Sequence, residues 1–264
     1  MDLQLNGKTA LITGSTAGIG LAIASLLAAE GAAVTINGRT RQRIDQAIDE
    51  IRKAHPQANV SGIDADVSTA AGCEKLIAAI GKVDILVNNA GIFEPKPFIE
   101  IPDADWDRLF QTNVMSGIRL SRFYLPKMLK QNWGRIIFIS SESALQPPPE
   151  MIHYGMTKTA QLAISRGLAE LTIGTSVSVN SILPGPTASE GVEAFVSQLA
   201  KGQKISEKEM EKQFFKTGRP TSLLQRFATP EEVANLVAYV CSPLSSATNG
   251  AALRVDGGVV RSIS

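Results

Sequence analysis

Short runs of apolar residues recur along the chain, and longer stretches of helical period separate them. The runs are Thr9–Thr13, Ala33–Asn37, Val60–Asp64, Ile85–Asn88, Arg135–Ser140, Ser176–Leu183 and Ala251–Val255. Several are apolar at almost every position, the pattern of a strand buried on both faces. Between them the spacing predicts helices over Ile19–Glu30, Arg41–His55, Ala70–Ile80, Asp103–Gln131, Met151–Leu171 and Pro230–Cys241. The last has an explicit start. Thr229 caps it, Pro230 takes the first helical position, and Glu231 and Glu232 put negative charge in the first turn. Strands alternating with helices predict an α/β fold: one doubly wound, mostly parallel, seven-stranded sheet with helices on both faces.

One segment interrupts the rhythm. The segment from Thr187 to Arg226 is dense in Lys and Glu and carries Glu193–Ala200 and Glu207–Lys216. One or two mobile helices are expected there, forming a lid over the carboxyl edge of the sheet, where open α/β sheets bind ligands. At 264 residues a single domain spanning 1–264, with the lid at 187–226, is the simplest organisation. A formal net charge of +1 gives no electrostatic case for a nucleic-acid or anionic-membrane partner. Cys73 and Cys241 have no metal-ligand spacing, so no metal is expected. The N-terminus lacks a secretory pattern, and Glu30 and Gly31 break the apolar stretch after Gly20; a cytoplasmic location is the expectation.

Candidate chemistry collects where the strand runs end. After the first run comes Thr13-Gly14-Ser15-Thr16-Ala17-Gly18-Ile19-Gly20, a glycine turn leading into a helix. Glycine allows positive φ and close approach of backbone to a pyrophosphate, and the helix N-terminus favours negative charge. Tyr154 and Lys158 stand four apart on a predicted helix and so share a face. An ammonium beside a phenol favours the phenolate and makes the pair a candidate general acid and base. Ser141 directly follows the fifth run, placed to hydrogen-bond a carbonyl oxygen. Asn88-Asn89-Ala90-Gly91 closes the fourth run at the same edge, and Asn113 lies inside the helix that follows, where asparagine is locally unfavourable.

In type and order these residues resemble the short-chain dehydrogenase/reductase family, from about residue 5 to 260. Asp66-Val67, Pro184-Gly185 and Val255-Asp256-Gly257-Gly258 extend the match. The resemblance implies a Rossmann-type NAD(P)-dependent oxidoreductase that moves a hydride between a nicotinamide and a carbonyl or secondary alcohol. Tyr154 is then the proton donor or acceptor. Lys158 lowers its pKa and holds the ribose, Ser141 orients the substrate, and Asn113 anchors a water. Gly14, Ser15, Thr16, Gly18, Ile19 and Gly20 form the cofactor turn. Asn37, Gly38, Arg39, Asp66 and Val67 belong to the adenosine side, and Asn89, Ala90 and Gly91 to the ribose path. Pro184 and Gly185, with Thr187 or Ser189, reach the carboxamide or phosphates. The resemblance also implies a homotetramer or homodimer built on the two long helices. A 3-oxoacyl-thioester reductase remains open, as does a catalytically silent dinucleotide sensor. The lid is longer than is usual in the family, and His153 is not one of its signatures.

Cofactor choice turns on Asn37-Gly38-Arg39 at the end of the second strand. NAD-preferring relatives place an aspartate where Gly38 stands, and that carboxylate would repel a 2′-phosphate. Arg39 suits a phosphate, with Arg41 as a second charge, and this favours NADP, with NAD as the alternative. Ala17 stands where many NADP-using relatives carry a basic residue, and Arg39 can stack on adenine in either case.

Overall fold

The computed structural model describes residues 2–263; Met1 and Ser264, the ends of the expected domain, lie outside the described residues. Seven strands form: β1 (Thr9–Ile12), β2 (Ala33–Gly38), β3 (Val60–Asp64), β4 (Ile85–Asn88), β5 (Gly134–Ile139), β6 (Val177–Pro184) and β7 (Ala252–Val255). They make one sheet in the order β3-β2-β1-β4-β5-β6-β7, parallel throughout. β5 and β6 are buried at every position; β5 is apolar from Ile136 to Ile139, whereas β6 also buries Ser178, Asn180 and Ser181.

Helices cover both faces. On one lie α1 (Gly18–Ala29), α2 (Arg41–Ala54) and α9 (Pro230–Cys241). Their Ile23, Leu27, Ile44, Ile51, Val233 and Val237 pack on Ile12, Ile36 and Ile137. The other carries α3 (Ala70–Ala79), α5 (Ser116–Gln131) and α6 (Ile152–Glu170). There Leu76, Leu120, Tyr124 and Met128 meet Leu11, Leu86 and Phe138. Thr229 caps α9 as expected, and Glu232 completes a capping box with it.

The long helix expected over Asp103–Gln131 is present with a defect inside it. It runs as α4 (Asp103–Phe110), a π turn over Gln111–Met115, and α5. The π turn contains Asn113. Such bulges leave the apolar pattern on either side intact, so sequence periodicity does not reveal them.

After β6 come α7 (Glu190–Gln203) and α8 (Glu207–Gln213), then a second π turn over Phe214–Gly218. They share a small core of their own, Val196, Ala200 and Met210, apart from the two main clusters. The sheet reverses its winding between β1 and β4. A crevice opens at the carboxyl ends of these strands, lined in part by α7 and by Phe214 and Gly218 of the second π turn.

Candidate active site

The chain leaves β1 through the glycine turn. Gly14 and Gly18 hold φ of +60° and +55°, which disfavours any other residue. A Cβ on Gly20 would lie 2.4 Å from Asn89 Nδ2 and 2.6 Å from the Gly14 carbonyl oxygen. Thr13, absent from the sequence-predicted set, braces this turn: its hydroxyl accepts from the Asn89 and Ala90 N–H groups, both at 3.0 Å. Asn89 Nδ2 donates in return to the carbonyls of Thr13 and Gly14, each at 2.9 Å. Ser15 turns inward, donating to Ile12 O at 2.7 Å and accepting from Asn37 N at 2.9 Å, and it does not reach the crevice. Thr16, Gly18, Ile19 and Gly20 do reach it, as do Ala90 and Gly91.

At the end of β2 the Asn37 amide donates to Ile63 O and Ala65 O, tying β2 to β3. Arg39 is exposed on the rim of the crevice. Arg41 is not brought there: its guanidinium holds Asp45 and the Gly62 carbonyl. Arg43 takes that place, lining the crevice and pairing with Glu190 of α7. Asp66 and Val67 line the same end. Opposite stand Pro184, Gly185, Thr187 and Ser189. Gly185 passes so close to β7 that a Cβ would meet Asp256 O at 2.4 Å. Ser189 faces the turn, 3.1 Å from where a Cβ on Gly18 would lie.

Ser141, Tyr154 and Lys158 meet on the floor of this crevice. β5 delivers Ser141, and α6 presents Tyr154 and Lys158 one turn apart. Lys158 Nζ is 5.5 Å from the Tyr154 ring centroid and donates to Ile139 O at 2.9 Å. Burial pulls the Lys158 pKa down to about 8, against the pull of Glu142. The Tyr154 phenol moves upward. Burial is the largest cause, the Glu142 charge adds to it, and a Ser141 hydrogen bond and the Arg219 charge oppose it. The lowering by Lys158 expected from sequence is not among these causes; desolvation of the phenolate is the largest.

Asn113 spends its side chain on structure. Its amide donates to Ile92 O and Thr157 Oγ1, and its Oδ1 accepts from Ile92 N. Gln161 Nε2 donates to its backbone carbonyl. Asn113 thus fastens the segment after Gly91 to α6 and does not itself line the crevice. His153 is fully buried, edge-on to Trp106 at 5.8 Å, and burial lowers its pKa.

Three further residues at the substrate end were not singled out from sequence. Glu142, 5% exposed, accepts a hydrogen bond from the Ser141 hydroxyl and another from Ser143 N at 2.9 Å. Arg219 reaches in from the second π turn, with Nε 3.1 Å from Glu142 and a terminal nitrogen 3.1 Å from Glu150. Glu142 was visible as the residue after Ser141. Nothing local ties it to Arg219, which is distant in sequence.

The crevice encloses about 1010 Å³. It suits a dinucleotide: a turn with glycine at the three positions where a Cβ would crowd its neighbours, a helix N-terminus with no acidic residue in its first turn, and a groove continuing to Lys158. The model of the short chain dehydrogenase family matches residues 8–200. Over the full length of both chains, the protein is 54% identical to the uncharacterized oxidoreductase YvaG of Bacillus subtilis strain 168. It is 32% identical to the 3-oxoacyl-acyl-carrier-protein reductase FabG of Aquifex aeolicus, covering 98% of this chain and all of that one. The crystal structure of L-sorbose reductase from Gluconobacter frateurii, complexed with NADPH and L-sorbose, superposes with a TM-score of 0.93 at 32% identity over the whole of both chains. A parallel seven-stranded sheet, a dinucleotide crevice at its switch point and a family match over most of the length lead to one conclusion: the chain belongs to the short-chain dehydrogenase/reductase family of NAD(P)-dependent oxidoreductases.

Proposed function

We propose that the protein is an NADP-preferring carbonyl reductase, or the corresponding alcohol dehydrogenase, in which Tyr154 transfers the proton. The observation that carries this reading is the convergence of Ser141, Tyr154 and Lys158 on the floor of the crevice that also holds the glycine turn. A bound nicotinamide supplies the hydride in reduction and accepts it in oxidation. Gly14, Thr16, Gly18, Ile19 and Gly20 would hold the pyrophosphate. Asn37, Asp66 and Val67 would hold the adenosine. Asn89, Ala90, Gly91 and Lys158 would hold the nicotinamide ribose, with Pro184, Gly185, Thr187 and Ser189 on the carboxamide side.

Tyr154, kept protonated by burial, donates its phenolic proton to the carbonyl oxygen as negative charge develops there. Ser141 donates a second hydrogen bond to the same oxygen. Lys158, charged at neutral pH, stabilises the phenolate left on Tyr154. Asn113 acts indirectly, by holding the strand-end segment against α6.

Arg39 and Arg43 on the crevice rim, and the missing carboxylate at Gly38, support the choice of NADP. The Thr16 methyl lies 2.5 Å from where a Cβ on Gly38 would stand, so an aspartate does not fit there without repacking. The chain acts as one domain with residues 187–226 as a lid, and it assembles as a homo-oligomer. Exposed Leu171, Ile173 and Leu223 support assembly. Among the described residues no helix is long and apolar enough to cross a membrane; a cytoplasmic location completes the reading. The test is oxidation of NADPH and of NADH against a panel of ketones, hydroxyketones, ketoesters and sugars. Failure to oxidise either cofactor with any carbonyl, together with measurable cofactor binding, would leave the silent sensor as the better reading.

A further inference from the structure

We propose that the substrate is a neutral carbonyl compound with a hydroxyl on the adjacent carbon, and that Glu142 is the residue that reads this hydroxyl. The inference rests on the reductase reading above and narrows it to one class of substrate.

It starts from the single proton of Ser141. That proton is committed to the Glu142 carboxylate, and the Ser141 oxygen accepts from Ser143 N at 3.1 Å. Glu142 is buried and receives three donors: the Ser141 hydroxyl, Ser143 N and Arg219 Nε. A carboxylate offers about four acceptor positions, so one is left. To polarise a carbonyl, Ser141 must turn its proton away from Glu142. A buried carboxylate then loses one of its donors, an unfavourable change unless something replaces it.

A substrate hydroxyl can replace it. Ser141 and Glu142 are chain neighbours whose oxygens touch, so the two substrate oxygens they serve must also be neighbours. A hydroxyl one carbon from the carbonyl meets that requirement. A simple ketone does not, and it leaves Glu142 short. A 3-oxoacyl thioester has no hydroxyl at that position either.

Charge narrows the choice further. Beside the reacting carbonyl, Glu142 and Glu150 set two carboxylates against the one guanidinium of Arg219. Arg219 is held by both acids and by the Gly218 carbonyl at 2.8 Å, so its charge is already shared between two carboxylates. A carboxylate beside the reacting carbonyl would face Glu142 directly. Phe93 and Phe214 close the site with apolar surface, Phe93 edge-on to Tyr154 at 6.2 Å and Phe214 under Arg219 at 5.7 Å.

The experiment is a matched pair of substrates on the purified full chain with whichever nicotinamide cofactor it uses. Acetoin and butanone differ only in the adjacent hydroxyl. Acetoin is expected to exceed butanone in kcat/KM by about a hundredfold or more, because a site built to bond a hydroxyl rejects the analogue lacking it. Pyruvate should be poorer than acetoin. In Glu142→Ala the acetoin-to-butanone ratio should collapse by at least about tenfold, with Glu142→Gln, which keeps one acceptor oxygen, in between. Cofactor binding by fluorescence shows whether each variant is folded; if neither is, the parent's ratio alone decides. A parent ratio near one would overturn the proposal. So would an unchanged ratio in folded Glu142→Ala, or a 3-oxoacyl thioester outrunning acetoin. Turnover of no carbonyl at all would instead remove the reductase reading itself.

Discussion

Removal of Arg39 tests the proposed choice of NADP through a rim where each contact can be followed. Arg39 is exposed at the crevice edge, and among the described residues no acidic side chain pairs with it. Arg43 is engaged with Glu190, so a phosphate would have to compete for it. Arg39→Ala should therefore lower the NADPH-to-NADH ratio of kcat/KM by about ten- to a hundredfold, the worth of one charge-assisted hydrogen bond, and Arg43→Ala should lower it less. The reverse change must account for Thr16. A Cβ at position 38 meets Thr16 Cγ2 at 2.5 Å but Thr16 Oγ1 only at 3.5 Å. Gly38→Asp alone should thus weaken binding of both cofactors. Combined with Thr16→Ser, which removes the offending methyl and keeps the hydroxyl, it should fit and favour NADH. The assay is the initial rate against each cofactor at fixed substrate. A parent that prefers NADH, or a ratio unmoved in both Arg39→Ala and the double variant, would refute this account of the rim.

Lys158 ionises near pH 8, so its ammonium is present below that value and lost above it. With saturating cofactor, the reduction rate should fall as pH rises through about 8; a rate flat to pH 10 would contradict the assignment. The lid should exchange amide hydrogens faster than β5, because α7 and α8 rest on a small core of their own, and should slow with cofactor and substrate bound. Protection equal to that of β5 without ligand would exclude a lid. Light scattering at micromolar concentration should give a dimer or tetramer, and a 28.1 kDa particle would argue against assembly.

Much of this was legible along the chain because burial on two faces leaves long apolar runs. All seven strands lie where such runs stand, and Ser141, Tyr154 and Lys158 follow from strand ends and a helical spacing of four. What escaped depends on distance or on angle. Arg41 and Arg43 look equivalent in sequence, yet they leave the first turn of α2 in different directions. Only Arg43 faces the crevice, while Arg41 is drawn to Asp45 and β3. Asn113 stands out in the sequence as an odd residue for a helix, but the π turn around it is not visible there. Glu142 and Arg219 find each other only when the segment after β6 folds back over β5. The upward movement of the Tyr154 pKa likewise depends on how deeply the ring is buried, a property of the assembled site.

The proton transfer assigned to Tyr154 is the centre of the account, and Tyr154→Phe tests it most directly. The substitution removes one oxygen and leaves the ring to pack against Phe93. Cofactor affinity, followed by fluorescence, should be unchanged, while kcat for carbonyl reduction should fall by about 10²–10⁴-fold. Turnover within a few-fold of the parent, with cofactor bound, would show that another group supplies the proton.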